Sequence, residues 1–82
     1  MELSIRVGRE GALMTREAAK IAEKVKPYEA SVLLRRENIT VNAKSLMGIL
    51  SLGVREGMTL TIIAEGKDEA QAVCELAKLL GA

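Results

Sequence analysis

The chain has 82 residues, with twelve basic and eleven acidic side chains for a formal charge of +1, no histidine, one tyrosine as its only aromatic residue and one cysteine. Near-neutrality excludes bulk attraction to nucleic-acid backbones or anionic membranes, and the scarcity of rings excludes base stacking. A lone Cys74 excludes an internal disulfide or a cysteine metal cluster; no metal and no cofactor is expected, and Cys74 itself reads as a small apolar residue on a helix.

Leu3, Ile5 and Val7 alternate with Ser4 and Arg6, the period-two pattern of a half-buried strand. Gly8 and Gly11 break it. Ala18, Ile21, Ala22 and Val25 then recur at helical spacing, which predicts a helix from about Arg16 to Lys26, capped by Thr15 and closed by Pro27. Ser31–Arg36 and Ile39–Val41 flank the turn residues Glu37 and Asn38 and read as a hairpin. A short helix over Ser45–Leu52, ended by Gly53, follows. Met58, Leu60, Ile62 and Ala64 alternate as a last strand, and Ala70, Val73, Cys74, Ala77 and Leu80 mark a closing helix with Asp68 and Gln71 spaced like a capping box. The order βαββαβα predicts an α+β fold over residues 1–82 as one domain, with an antiparallel sheet and its helices on one face.

The missing histidine rules out a phosphohistidine, an imidazole base and an imidazole metal ligand. The carboxylates are dispersed and no nucleophile–base pair stands out, so the chain is not expected to be an enzyme. Gly8-Arg9-Glu10-Gly11 matches the G-x-x-G loop of KH RNA-binding domains, but it follows a strand instead of joining two helices; a plain strand-to-helix connection is the competing reading. Arg16, Lys20 and Lys24, four apart, form one basic stripe along the first helix. The stripe is either a solvated face partly neutralised by Glu17 and Glu23 or a docking face for an acidic partner.

The segment Val41–Val54, "VNAKSLMGILSLGV", is the most informative. Ser45 stands where the first amides of the short helix point, so its hydroxyl can cap them, and a phosphate there would meet the same amides. Leu46, Met47, Ile49, Leu50 and Leu52 are too many apolar residues for one buried stripe on two turns, so part of this surface should face solvent as a partner site.

This segment resembles the regulatory-serine stretch of the HPr family, the small phosphocarrier proteins of the bacterial sugar phosphotransferase system, with its pattern N-x-K-S-[IL]-M-G-x-[LM]-S-L. Length, element order and the "EGKDEAQAV" entry to the last helix fit as well. The resemblance implies an open-faced β-sandwich with a four-stranded antiparallel sheet. The family's other signature, G-[IL]-H-A-R-P-A, aligns with Ala12–Ala18; Leu13, Arg16 and Ala18 match in kind, but Met14 stands at the phospho-accepting histidine and Glu17 at the proline. The histidine-less, catabolite-repression members of the family share this pattern. The resemblance therefore implies phosphorylation of Ser45 by an ATP-dependent HPr kinase/phosphorylase, and corepressor binding to a LacI-type transcriptional regulator through Leu46, Met47 and Leu50 with Arg16; Lys20 and Lys24 join Arg16 as candidate partner-binding residues by the stripe alone. It further implies contacts with other phosphotransferase-system proteins, while the near-neutral charge and the lack of a long apolar run predict no direct nucleic acid, no membrane and a cytoplasmic location. The competing reading within the fold is a docking scaffold with no phosphorylation switch.

Overall fold

The computed structural model describes Met1–Ala82 as β1 (Glu2–Arg6), α1 (Thr15–Val25), β2 (Ser31–Arg36), β3 (Ile39–Asn42), α2 (Leu46–Ser51), β4 (Thr59–Glu65) and α3 (Glu69–Leu79). All pairings are antiparallel and the strand order is β1-β4-β2-β3. The two-residue period of the strands decides what each face carries. Ile5, Val32, Leu34, Leu60, Ile62 and Ala64 point inward and are buried. The opposite face carries the cross-strand row Ser4, Thr61, Arg35 and Thr40, in which the Ser4 and Thr61 hydroxyls lie 3.1 Å apart.

The helices close the inner face. α1 contributes Ala18, Ile21, Ala22 and Val25, and α3 contributes Ala72, Val73 and Leu76; Ile49 and Leu52 come from α2 and its C-cap. Each large aliphatic side chain sealed this way contributes about 1.5–3 kcal/mol of transfer free energy. No polar or charged side chain is buried. The expected α+β architecture, with helices on one face and the other face open, is the one observed.

Three local expectations need correction. The N-cap of α1 is Met14, one residue before the expected Thr15. Its thioether caps nothing; instead the Met14 N–H donates to the Glu17 carboxylate at 3.0 Å, so the helix entrance is held from inside its own first turn. Cys74 is exposed, because Ala72, Val73 and Leu76 already fill the stripe that faces the sheet. The Asp68–Gln71 capping box does not form: the Asp68 carboxylate accepts the Glu29 N–H at 2.9 Å and the Ala30 N–H at 2.8 Å, from the far side of the fold. Glu69 takes over the local role, accepting the Gly66 N–H at 3.2 Å.

Asp68 thus fastens the start of α3 to the chain entering β2. The Ala30 amide first, then the Glu29 amide, hold its carboxyl below the usual carboxylate range. Because the folded value is the lower one, the stabilisation is complete above about pH 4 and is lost as the pH falls through the folded value. Asp68→Asn should therefore unfold at a lower temperature than the parent chain at pH 7, and the gap between the two should close as the scan is repeated at progressively lower pH. A gap independent of pH would show that the charge of Asp68 contributes nothing.

Candidate functional site

The candidate residues lie on the helical layer, on α1 and on α2 with the turn that precedes it. The loop before α1 is pinned to the loop after α2: the buried Leu13 donates its N–H to the Val54 carbonyl at 2.9 Å, and Ala12 bridges Arg55. This pinning presents Met14 outward, 65% exposed. Past it, Ala18 makes the first helical hydrogen bond back to the Met14 carbonyl, so the amides of Arg16 and Glu17 have no backbone acceptor. Arg16, Lys20 and Lys24 are all exposed and make no ion pair; the ion pairs are Met1–Glu69 and Arg35–Glu2. Glu17, expected to neutralise part of the stripe, is turned to the Met14 amide instead.

At Ser45 each residue of "VNAKS" has an assigned partner. Ala43 is buried and donates to the Val32 carbonyl at 2.9 Å. The Asn42 side chain accepts the Lys44 N–H at 2.9 Å, its carbonyl accepts the Ser45 N–H at 3.0 Å, and the Lys44 ammonium donates to the Tyr28 carbonyl at 2.6 Å. On this turn the extended Ser45 places its Oγ to accept the Gly48 N–H at 3.2 Å, which is the cap expected from the sequence. Gly48 suits the close approach, since a Cβ there would lie 3.0 Å from the Asn42 carbonyl oxygen and the turn would have to give slightly. The other end of α2 is secured by Arg36, whose guanidinium donates to the Leu52 carbonyl at 2.6 Å.

Of the apolar residues of α2, Ile49 and Leu52 go into the core and Leu46 and Leu50 are half-buried, while Met47 is 72% exposed. The expected solvent-facing apolar surface is therefore present, centred on Met47. A groove of 260 Å³ runs between the helices, lined by Ala19, Ala22, Glu23, Lys26, Lys44 and Leu46. Lys26 and Lys44 were not singled out in the sequence, and only the adjacency of Lys44 to Ser45 hinted at them. Their meeting depends on how α1 crosses α2.

The glycine loop has a structural explanation at both ends. A Cβ on Gly8 would lie 2.2 Å from the Gly81 carbonyl oxygen, and the Gly8 N–H donates to Leu80 at 3.0 Å, so the end of β1 packs directly on the C-terminal turn. Gly11 has φ +74°, a conformation that side-chain-bearing residues rarely adopt. The motif is a strand-to-helix connection, and nothing in its geometry asks for an RNA.

A four-stranded antiparallel sheet covered on one face by three helices is the fold of the phosphotransferase-system HPr proteins. The family model PTS-HPr, described as the PTS HPr component phosphorylation site, matches residues 1–82, and the chain belongs to that family. Among its relatives, the HPr-like protein Crh of Bacillus subtilis is 40% identical over 65 residues, 79% of this chain and 76% of the relative. The Crh protein of Halalkalibacterium halodurans is 33% identical over 73 residues, 89% and 87% of the two chains. The crystal structure of the phosphocarrier protein HPr from Bacillus anthracis superimposes with a TM-score of 0.92 at 32% identity, covering 98% of this chain and 95% of that one. The protein is thus an HPr-like member of the phosphotransferase and catabolite-repression group. No helix is long and apolar enough to cross a membrane.

Proposed function

We propose that this chain is a non-catalytic regulator of the Crh type, switched by phosphorylation of Ser45 and acting by protein–protein contact. The observation that carries this reading is the contrast between its two signature positions. Ser45 is held on a fully hydrogen-bonded turn at the start of α2, while the phospho-accepting position of the α1 loop is taken by Met14, whose thioether cannot hold a phosphoryl group. A phosphate on Ser45 adds a charge of about −1.5 to −2 and strong acceptors beside the exposed Met47. The resulting epitope has an anionic part on Ser45, an apolar part on Leu46, Met47 and Leu50, and a cationic part on Arg16, Lys20 and Lys24. By its likeness to Crh, the kinase would be an HPr kinase/phosphorylase and the reader a LacI-type transcriptional regulator, which fits a cytoplasmic location.

Incubation with an HPr kinase/phosphorylase and ATP should add one phosphoryl group, whereas the phosphotransferase enzyme I with phosphoenolpyruvate should add none; mass spectrometry of the intact chain reads both. Phosphoryl uptake from phosphoenolpyruvate would sink the proposal. The unpaired state of Arg16, Lys20 and Lys24 also supports a second reading, in which the same face docks partners with no switch at all. That reading expects equal partner binding before and after treatment with the kinase.

A further inference from the structure

The chain has four methionines, and the two on its docking face are the most exposed of its large apolar residues. Met14 stands at the entrance of α1 and Met47 on the outer side of α2, while Met58 is partly buried against the core and Met1 lies beside Ala64 and Glu69. A thioether fills an apolar contact well, and oxidation to the sulfoxide turns it polar without cleavage of the chain. At Met14, the 65% exposed N-cap residue of α1, oxidation puts a polar oxygen at the helix entrance. At Met47 the same change puts a polar oxygen at the centre of the apolar patch.

We propose that Met14 and Met47 are each modification sites, oxidised to the sulfoxides by a hydroperoxide, and that this oxidation weakens docking on the α1 and α2 surfaces that carry them. In each step a lone pair on Sδ attacks the outer oxygen of the peroxide, and the O–O bond breaks. The sulfur is oxidised by two electrons, the peroxide is reduced by two, and the departing oxygen takes up the proton to leave as water or an alcohol. The claim about docking rests on the Ser45 reading; the claim about the modification does not.

The test uses the full chain carrying Cys74→Ser as parent, so that the exposed thiol does not consume the oxidant, treats it with limiting hydrogen peroxide and follows oxygen addition at each methionine by peptide mass spectrometry. It then measures Ser45 phosphorylation by an HPr kinase/phosphorylase with ATP. Met14 and Met47 should oxidise at least about five times faster than Met58. The phosphorylation rate of the treated chain should fall at least about threefold, and methionine sulfoxide reductases should restore it. The variant Met14→Leu/Met47→Leu, which keeps Met1 and Met58, should show the same rate with and without peroxide. Oxidation of Met14 and Met47 no faster than Met58 would overturn the modification site, and an unchanged rate in the treated parent, or a peroxide-sensitive double variant, would overturn its link to docking. If the untreated chain is not phosphorylated at all, it is the Ser45 reading that fails, and the order of oxidation then decides the modification site alone.

Discussion

Ser45→Ala is expected to abolish phosphoryl uptake from ATP while leaving the protein folded. The two effects are separable because they have different sizes. Losing the Oγ that accepts the Gly48 amide costs about 1 kcal/mol, a fraction of the roughly 5–15 kcal/mol that holds a domain together. Removal of the acceptor oxygen, by contrast, is all or none. Ser45→Asp sharpens the comparison: aspartate caps a helix about as well as serine, so its thermal midpoint should stay close to that of the parent, yet it offers no hydroxyl and should also take up no phosphoryl group. Ser45→Thr keeps both the hydroxyl and much of the cap and should remain a substrate. Intact-mass measurement and a thermal scan on the three variants check this directly. A phosphoryl group still added to Ser45→Ala would move the acceptor to another hydroxyl and remove Ser45 from the mechanism.

What the sequence revealed, and what it withheld, divides along the range of the interactions. The seven elements were legible because each is written locally: a period of two for Leu3, Ile5 and Val7, about 3.6 for Ala18, Ile21 and Val25, residue type and a turn for the hairpin, and a bracketing Ser45 and Gly53 for α2. The Ser45 cap and the outward face of Met47 were legible for the same reason, since one depends on the next three residues and the other on an excess of apolar positions over one short helix. Thr15 was mistaken for the cap of α1 because residue preference favours a hydroxyl, whereas the helix starts one residue earlier and Glu17 reaches back to the Met14 amide. Asp68 was read as a local cap, but its two acceptor bonds go to residues 38 and 39 positions away. The Lys26–Lys44 groove and the hold of Arg36 on the end of α2 were equally hidden, since each joins segments that only the packed fold brings together.

The same Glu17 contact decides what would happen if the missing histidine were supplied. Met14→His alone is expected to be a poor acceptor of a phosphoryl group from enzyme I and phosphoenolpyruvate, and Met14→His/Glu17→Pro a better one by about tenfold or more. In favour of the single change are the amides of Arg16 and Glu17, which have no backbone acceptor, and the exposed Arg16 guanidinium, all of which would stabilise an anion at the helix entrance. Against it is the Glu17 carboxylate, held 3.0 Å from the residue 14 amide. A phosphoryl group of charge near −2 placed a few ångström from that carboxylate meets a repulsion of about 1–2 kcal/mol even in a solvated site, which is about tenfold in the transfer equilibrium. Proline at position 17 removes the charge together with that residue's own N–H, leaving the Arg16 amide and guanidinium to meet the anion, and is tolerated because the first turn of a helix needs no intrahelical N–H from that residue. The acid-labile phosphohistidine on the two variants, compared at equal enzyme concentration, measures the difference. Equal labelling would mean that the carboxylate swings clear of the site, and that Met14 alone separates this chain from a carrier.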